Sequence, residues 1–361
     1  MTRNLLLALL LLLPLPALAA DEHAVIFMYH RFGEDRYPTT SITLDQFDAQ
    51  LTYLKDNGYQ VWPLARVVDH LQKNQPIPDH TIAITVDDAY LSVYQNGYPR
   101  LKALGWPFTV FVNTDPVDRH LPGFMSWEQM REMQANGVTF ANHTATHDSM
   151  TKRLPGEDDT AWAARMRADI DKAQRRLQRE LGAKTNSDPK LFVYPYGEYD
   201  TRAATLIREM GYIGFGQQSG AVGPLSDLRA LPRYPMAEHF AALAPFARKA
   251  ASLPLPVTAE QPWEPRVGDD NPPKLTVTLE RPMRGVACYN ADGEQLPIRW
   301  REGSKTQFEV QSPKPLAKGR NRYNCTAPAR ERGRWYWHSH PWLITTPAAA
   351  PVVTAPTDPA R

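Results

Sequence analysis

Two adjacent aspartates, Asp87 and Asp88, follow a run of apolar and β-branched residues, and His143 and His147 follow a second such run. Two imidazoles and one carboxylate can hold a metal ion and leave coordination positions open, as a catalytic metal requires. The second aspartate would then stand beside the metal, where a general base can activate water. The alternative is a polar strand end with two surface histidines. We favour a hydrolytic metal site, because both pairs occupy equivalent places after predicted strands.

A third polar turn, YPYGEYD (194–200), follows another apolar run. Tyr194 and Tyr196 flank Pro195, and Gly197 would let the backbone come close to a ligand. A free backbone N–H in this turn could stabilise a developing oxyanion. The same residues also fit a well-packed turn with no chemical role.

Between residues 24 and 234, short apolar strands alternate with amphipathic helices, which predicts an α/β fold with a parallel sheet, open or closed into a barrel. The carboxyl ends of parallel strands lie at one face, so the three turns would meet there. His30 ends the first predicted strand and would lie on this face too. The predicted strands are 24–30, 81–86, 107–113, 138–142, 191–195 and 212–216, and the predicted helices are 44–59, 126–137, 160–181 and 200–211.

The sequence changes character after residue 250. Residues 251–273 are rich in proline and are predicted to be a linker, whereas 274–345 alternate apolar and polar residues, which predicts a small sandwich-like all-β domain. We expect a disulfide between Cys288 and Cys325, the two cysteines of the chain. Residues 346–361 lack a core-forming pattern and should be disordered.

The first 20 residues have the pattern of a cleavable signal peptide, with one early cation, a leucine-rich stretch and Ala17 and Ala19 in an A-x-A arrangement. An uncleaved anchor helix is the alternative. Export would place the chain in the periplasm or outside the cell, where a disulfide is stable. The chain has 41 Lys and Arg against 39 Asp and Glu, which argues against nucleic acid as a partner. We expect a monomer with no stable membrane span.

In this order, the motifs TVDDAY (85–90), HTATH (143–147) and YPYGEYD (194–200) resemble those of the polysaccharide deacetylase family, also called the NodB-homology family or carbohydrate esterase family four. The resemblance covers about residues 24–240. It implies a distorted (β/α) barrel of the NodB type and metal-dependent removal of acetyl groups from a glycan.

The resemblance also implies a role for each matching position. Asp87 matches the general base, and Asp88, His143 and His147 match the metal ligands. The backbone N–H of Tyr196 matches the oxyanion donor. Zinc is the expected metal, with cobalt, nickel or iron compatible with the same ligands.

Two positions depart from the usual family pattern. Val193 stands where the family often has an arginine that orients the base, so the tuning of Asp87 is left open. The Leu-x-His that usually supplies the catalytic acid is absent downstream. In the branch that resembles poly-β-1,6-N-acetylglucosamine N-deacetylases, a Tyr-His at the first strand supplies it instead. Tyr29 and His30 fit that arrangement, which makes His30 the expected acid.

The expected function is therefore N-deacetylation of an N-acetylhexosamine polysaccharide in the cell envelope. The expected partner is the acetylated polysaccharide itself. An O-acetyl polysaccharide esterase remains an alternative, as does a non-catalytic glycan-binding or matrix-assembly protein with a vestigial site. The aromatic segment GRWYWHSHPW (333–342) could bind glycan, although packing in the β-domain explains it more simply.

Overall fold

The computed structural model describes residues 22–345. The predicted signal peptide (1–20) and the predicted disordered tail (346–361) lie outside this range. Within it, no helix has both the length and the apolar character needed to cross a membrane.

The first part of the described chain, through residue 250, is an α/β structure in which strands alternate with helices. Its strands are β1 (Ala24–Tyr29), β2 (Arg31–Phe32), β3 (Ser41–Ile42), β4 (Gln60–Val61), β5 (Thr81–Asp87), β6 (Thr109–Val112), β7 (Thr139–Asn142), β8 (Lys190–Val193), β9 (Tyr212–Phe215) and β10 (Tyr234–Pro235). Its α-helices are α1 (Leu44–Asp56), α2 (Leu64–Gln72), α3 (Tyr98–Ala103), α4 (Thr114–Asp118), α5 (Trp127–Ala135), α6 (Asp159–Leu181), α7 (Thr201–Glu209) and α8 (Leu243–Ala250). A π-helical turn (Val93–Gly97) and two 3₁₀ turns (Pro195–Gly197 and Glu238–Ala241) complete it.

The parallel strands pair in the order β10-β1-β5-β6-β7-β8-β9, and β4 adds to β5. Every residue of β1 and β5 is buried, because helices cover one face of the sheet and the barrel interior covers the other. β9 and β10 end the path without pairing to each other, so the sheet forms a distorted barrel. This confirms the predicted fold class.

Local signals read from the sequence explain where several elements begin. Ser126 and Gln129 form a capping box at the start of α5, in which each side chain accepts a hydrogen bond from the other residue's backbone N–H. Asp200 caps α7 by accepting from the Ala203 N–H. Because the strands of this sheet are parallel, the carboxyl ends of β1, β5, β7 and β8 reach the same end of the barrel.

The chain after residue 250 forms two packed β-sheets, which matches the predicted sandwich-like domain. The strands are β11 (Leu253–Pro254), β12 (Val257–Gln261), β13 (Arg266–Val267), β14 (Lys274–Leu279), β15 (Ala287–Tyr289), β16 (Gln295–Leu296), β17 (Ile298–Trp300), β18 (Gln307–Gln311), β19 (Gly319–Pro328) and β20 (Trp335–Ile344). One sheet has the order β11-β20-β19-β15-β16 with β13 beside β20, and the other has the order β12-β14-β18-β17. Cys288 and Cys325 form a disulfide between β15 and β19, neighbours in the first sheet.

The proline-rich range 251–273 differs from the predicted linker, because it contains β11, β12 and β13. β12 pairs antiparallel with β14, while β11 and β13 add to β20. Strand edges tolerate proline because an outward N–H needs no ladder partner. This range is therefore part of the C-terminal β-domain, which we define as residues 253–344.

Candidate active site

Asp87 is the last residue of β5, and its carboxylate is fully buried. Arg233 donates to both carboxylate oxygens at 2.7 Å, a bidentate pair in which both side chains are completely inaccessible. The same guanidinium donates to the Thr85 hydroxyl at 3.1 Å and to the Gly216 carbonyl at 3.0 Å. The hydrogen bonds to Thr85 and Gly216 hold the guanidinium in place, and the two to Asp87 fix the orientation of its carboxylate.

The pKa of Asp87 lies below its ordinary value of 3.8. Burial acts to raise this pKa, but the charge and hydrogen bonds of the Arg233 guanidinium, together with the charges of His30 and His143, lower it below the ordinary value. The carboxylate is therefore ionised and poised to accept a proton at neutral pH. Arg233 was missed in the sequence, where only the arginine position now occupied by Val193 was considered. One signal was available: Arg233 is a lone cation in the apolar run ALPRYPM (230–236).

Asp88 begins the turn after β5, and the structure brings it together with His143 and His147, as predicted. Asp88 Oδ1 lies 3.8 Å from His143 Nε2 and 3.7 Å from His147 Nε2. One ligand atom from each of the three residues lies within 4.8 Å of the others. Among the described residues, these three are the one such group of metal-ligating side chains.

A tight turn, and not a helix, places both imidazoles on the same side. His143 directly follows β7, and the Asn142 side chain accepts from the Thr144 N–H at 2.9 Å. The Thr144 hydroxyl in turn accepts from the His147 N–H at 2.9 Å. Asp88, Thr144 and His147 all have φ between 61° and 64°. Such left-handed conformations cost about 1–3 kcal/mol each and concentrate at functional sites.

The donor set fits a divalent metal ion. His143 Nδ1 donates to the Val193 carbonyl at 2.8 Å, which leaves the lone pair of Nε2 directed toward Asp88. Burial first, and the charge of His147 second, lower the pKa of His143 to about 4, so its imidazole is neutral as a metal ligand must be. Asp88 Oδ1 is buried and, within the described chain, accepts no hydrogen bond. A metal ion would satisfy that orphaned oxygen.

His30 follows β1 and is half-buried at the same end of the barrel. Burial lowers the pKa of its imidazole, while the charges of Asp87 and Asp88 act to raise it. His147 also interacts with this ring through charge. The ring is thus within electrostatic reach of the aspartate pair.

The turn after β8 contains two different kinds of residue. Tyr196 is exposed over 45% of its surface, has φ 61° and places its ring 4.6 Å from that of His147. Tyr194 and Pro195 are buried, and the Tyr194 hydroxyl donates to the Arg229 carbonyl at 2.7 Å. The side chains of Tyr194 and Pro195 therefore pack the turn.

Gly197 packs closely against a neighbouring loop. Its φ is 68°, and an added Cβ would lie 2.5 Å from the side chain and 2.9 Å from the backbone nitrogen of Gln217. The loop after β9 therefore requires glycine at this position.

Comparisons with known proteins agree with this geometry. Residues 74–214 match the family model described as polysaccharide deacetylase. The poly-beta-1,6-N-acetyl-D-glucosamine N-deacetylase of Escherichia coli (strain K12) is 26% identical over 54% of this chain. The match spans only 33% of that relative's length.

Two solved structures resemble the barrel. IcaB from Ammonifex degensii is 29% identical, with a TM-score of 0.55, over 63% of this chain and 97% of its own. The Streptococcus pyogenes deacetylase PplD, solved with acetate, has a TM-score of 0.56 over 64% of this chain and 99% of its own. At 21% identity the PplD likeness shows the fold alone.

Proposed function

Since this chain carries a polysaccharide deacetylase domain, we propose that it removes N-acetyl groups from an N-acetylhexosamine polymer of the poly-β-1,6-N-acetylglucosamine type. The observation that carries this proposal is the meeting of the Asp88, His143 and His147 ligand atoms beside Asp87, a buried and ionised carboxylate. The name of the Escherichia coli relative supports the choice of substrate class.

Asp88, His143 and His147 would hold the metal ion. When bound, a divalent metal supplies Lewis-acid polarisation of the acetyl carbonyl and lowers the pKa of water. Zinc is the default for hydrolysis without redox chemistry, and cobalt, nickel or iron accept the same donors. His147 is the more accessible histidine ligand, with 19% of its side chain exposed against 1% for His143.

Asp87 would act as the general base that takes a proton from the attacking water. Arg233 keeps this carboxylate ionised and fixed in direction, the task that the sequence left without a residue. The backbone N–H of Tyr196 would stabilise the oxyanion of the tetrahedral intermediate.

His30 would donate a proton to the leaving amine. Burial favours its neutral form at rest, so the proton must reach the ring during the reaction. The proton that Asp87 removes from water is the internal source, because both groups interact at this end of the barrel. An alkoxide leaving group needs this acid less than an amine does, so a requirement for His30 would favour amide over ester substrates.

We further propose that the protein works in the periplasm or outside the cell as a monomer. The signal-peptide pattern in residues 1–20 and the Cys288–Cys325 disulfide support export.

Acetate release from defined substrates tests the function. Metal-loaded protein should be compared on β-1,6-linked and β-1,4-linked N-acetylglucosamine oligomers and on acetylated xylan. We expect release from the β-1,6-linked oligomers, abolished by a chelator. Release from xylan alone would replace the proposal with the O-acetyl esterase, and release from none would favour the non-catalytic glycan-binding alternative.

A further inference from the structure

The turn after β8 contacts the C-terminal β-domain through the backbone of Tyr196, the residue whose N–H is the proposed oxyanion donor. Arg320, on β19, donates from Nη1 to the carbonyl oxygen of Tyr196 at 2.9 Å. The two residues are 124 positions apart in the sequence. This charge-assisted hydrogen bond joins the C-terminal β-domain to the backbone of the candidate active site in the barrel.

Tyr196 adopts a conformation that its neighbours must hold in place. It is a non-glycine residue with φ 61° and ψ 5°, a region that L residues populate sparsely. Its side chain is 45% exposed, and its ring lies against the His147 ring, so packing of the ring fixes the backbone only in part. The proposed oxyanion donor, the Tyr196 N–H, belongs to the Pro195–Tyr196 peptide. The carbonyl that Arg320 holds belongs to the next peptide, so Arg320 acts on the N–H through the backbone conformation of Tyr196.

A second part of the C-terminal domain covers the rest of the same turn. The Trp263 ring lies 5.5 Å from the buried Tyr199 ring. Glu264 accepts from the Thr201 N–H at 3.0 Å, at the first residue of α7. These residues come from the connection between β12 and β13, so two separate segments of the domain hold residues 196–201.

We infer that the C-terminal β-domain completes the active site and that Arg320 is a positioning residue for the backbone of Tyr196. Arg320 acts through Tyr196, not on the substrate, and the inference rests on the proposed deacetylase function. The family match ends at residue 214, so nothing in that match assigns a role to this domain.

Another arginine of the same domain provides a matched control. Arg334 donates to both oxygens of Asp79 at 2.7 and 2.9 Å, and to the Ala251 carbonyl at 2.9 Å. Asp79 precedes the start of β5, whereas Asp87 ends that strand. Arg334 therefore joins the two domains at the barrel end opposite the candidate active site.

The test compares Arg320→Ala, Arg320→Lys and Arg334→Ala in the full-length, metal-loaded protein. Readouts are kcat and KM for acetate release from a β-1,6-linked N-acetylglucosamine oligomer, the metal content, the thermal midpoint and the Ki of a glucosamine methylphosphonamidate, which mimics the tetrahedral intermediate. For Arg320→Ala we expect kcat to fall about tenfold, part of the loss seen when an oxyanion donor is removed. KM, metal content and thermal midpoint should stay near wild type, and the Ki should rise by the same factor as kcat falls.

Arg320→Lys retains one donor and should recover most of kcat. Arg334→Ala should lower the thermal midpoint and leave kcat within about twofold, since its contact lies far from the site. The inference is overturned if wild type is active and Arg320→Ala keeps its kcat and Ki, or if Arg334→Ala loses kcat equally. Wild-type protein inactive on every acetylated substrate would instead refute the proposed function, and the inference with it.

Discussion

Two groups of one carboxylate and two histidines lie in different halves of the molecule, and we name them the barrel cluster and the sandwich cluster. In the barrel cluster the closest carboxylate–imidazole distances are 3.7 and 3.8 Å. In the sandwich cluster they are 2.9 and 3.0 Å, both to a single carboxylate oxygen. The barrel cluster comprises Asp88, His143 and His147, and the sandwich cluster comprises Glu260, His338 and His340.

The distances separate a site that can hold an ion from an internal carboxylate–imidazole contact. In the sandwich cluster the Glu260 oxygen accepts directly from His338, and His340 Nδ1 lies beside it without hydrogen-bond geometry. In the barrel cluster the carboxylate oxygen and the imidazole nitrogens lie too far apart for hydrogen bonds, but close enough for one ion to contact all three residues. One carboxylate and two imidazoles therefore give different chemistry in the two clusters, depending on whether the carboxylate already accepts a hydrogen bond from an imidazole.

The backbone explains this difference. His338 and His340 are two residues apart on β20, so both side chains leave the same face of the sheet, toward Glu260 on β12 of the facing sheet. His143 and His147 lie instead in a turn beyond a strand end, where left-handed residues direct two rings toward a common point. A regular strand pair packs, whereas a strained turn at the end of a barrel strand presents ligands.

Asp87→Asn should give the largest effect on turnover. The amide cannot take a proton, so acetate release should fall about a thousandfold or more, with metal content unchanged. Arg233 would lose its buried counter-charge, so urea unfolding should also show a loss of about 3–5 kcal/mol. Near-wild-type acetate release by this variant would show that Asp87 is not the base.

His30→Ala should give a smaller loss that depends on the substrate. Turnover of an N-acetyl amide should fall about a hundredfold, because the amine leaves poorly without a proton. Turnover of an aryl acetate, whose leaving group needs no acid, should fall much less. Equal losses on amide and ester would contradict the assignment of His30 as the acid.

Glu260→Gln should change stability and leave turnover within about twofold, which makes it the control for Asp87→Asn. Burial acts to raise the pKa of Glu260, but the charges of His340 and His338 and the hydrogen bond with His338 hold it well below its ordinary 4.5. A depressed pKa stabilises the fold above about pH 4.5, and this contribution is lost as pH falls toward the folded-state pKa.

Urea unfolding measured from pH 7 down to pH 3 checks this expectation. The variant should be less stable by about 1–3 kcal/mol at pH 7, and the gap should narrow below pH 4.5. A difference in stability that does not change with pH would show that the contacts of Glu260 with the two histidines add no pH-dependent stability. A loss of turnover would contradict the distinction between the two clusters.

Local features of the sequence predicted most of the barrel and the barrel cluster. The Ser126 capping box, the buried strand ending at Asp87 and the turn after Asn142 are each encoded within a few residues. Arg233 could not be assigned in this way, because its contact with Asp87 joins residues 146 positions apart and exists only once β10 lies beside β1.

The strands between residues 251 and 273 were missed for a related reason. Their proline content opposes a regular strand, and only the neighbouring strands of the C-terminal domain make them part of a sheet. The packing of Gly197 could not be predicted either, because the loop against which it packs, at Gln217, lies 20 residues further along the chain.

The central claim is that one metal ion at the barrel cluster supports acetate release. The direct measurement is metal content and acetate release on the same samples of wild type, His143→Ala and His340→Ala, each stripped and titrated with zinc. Wild type and His340→Ala should gain activity up to one equivalent of zinc, and His143→Ala should neither retain zinc nor release acetate. Full activity in stripped wild type, or in His143→Ala, would contradict the claim.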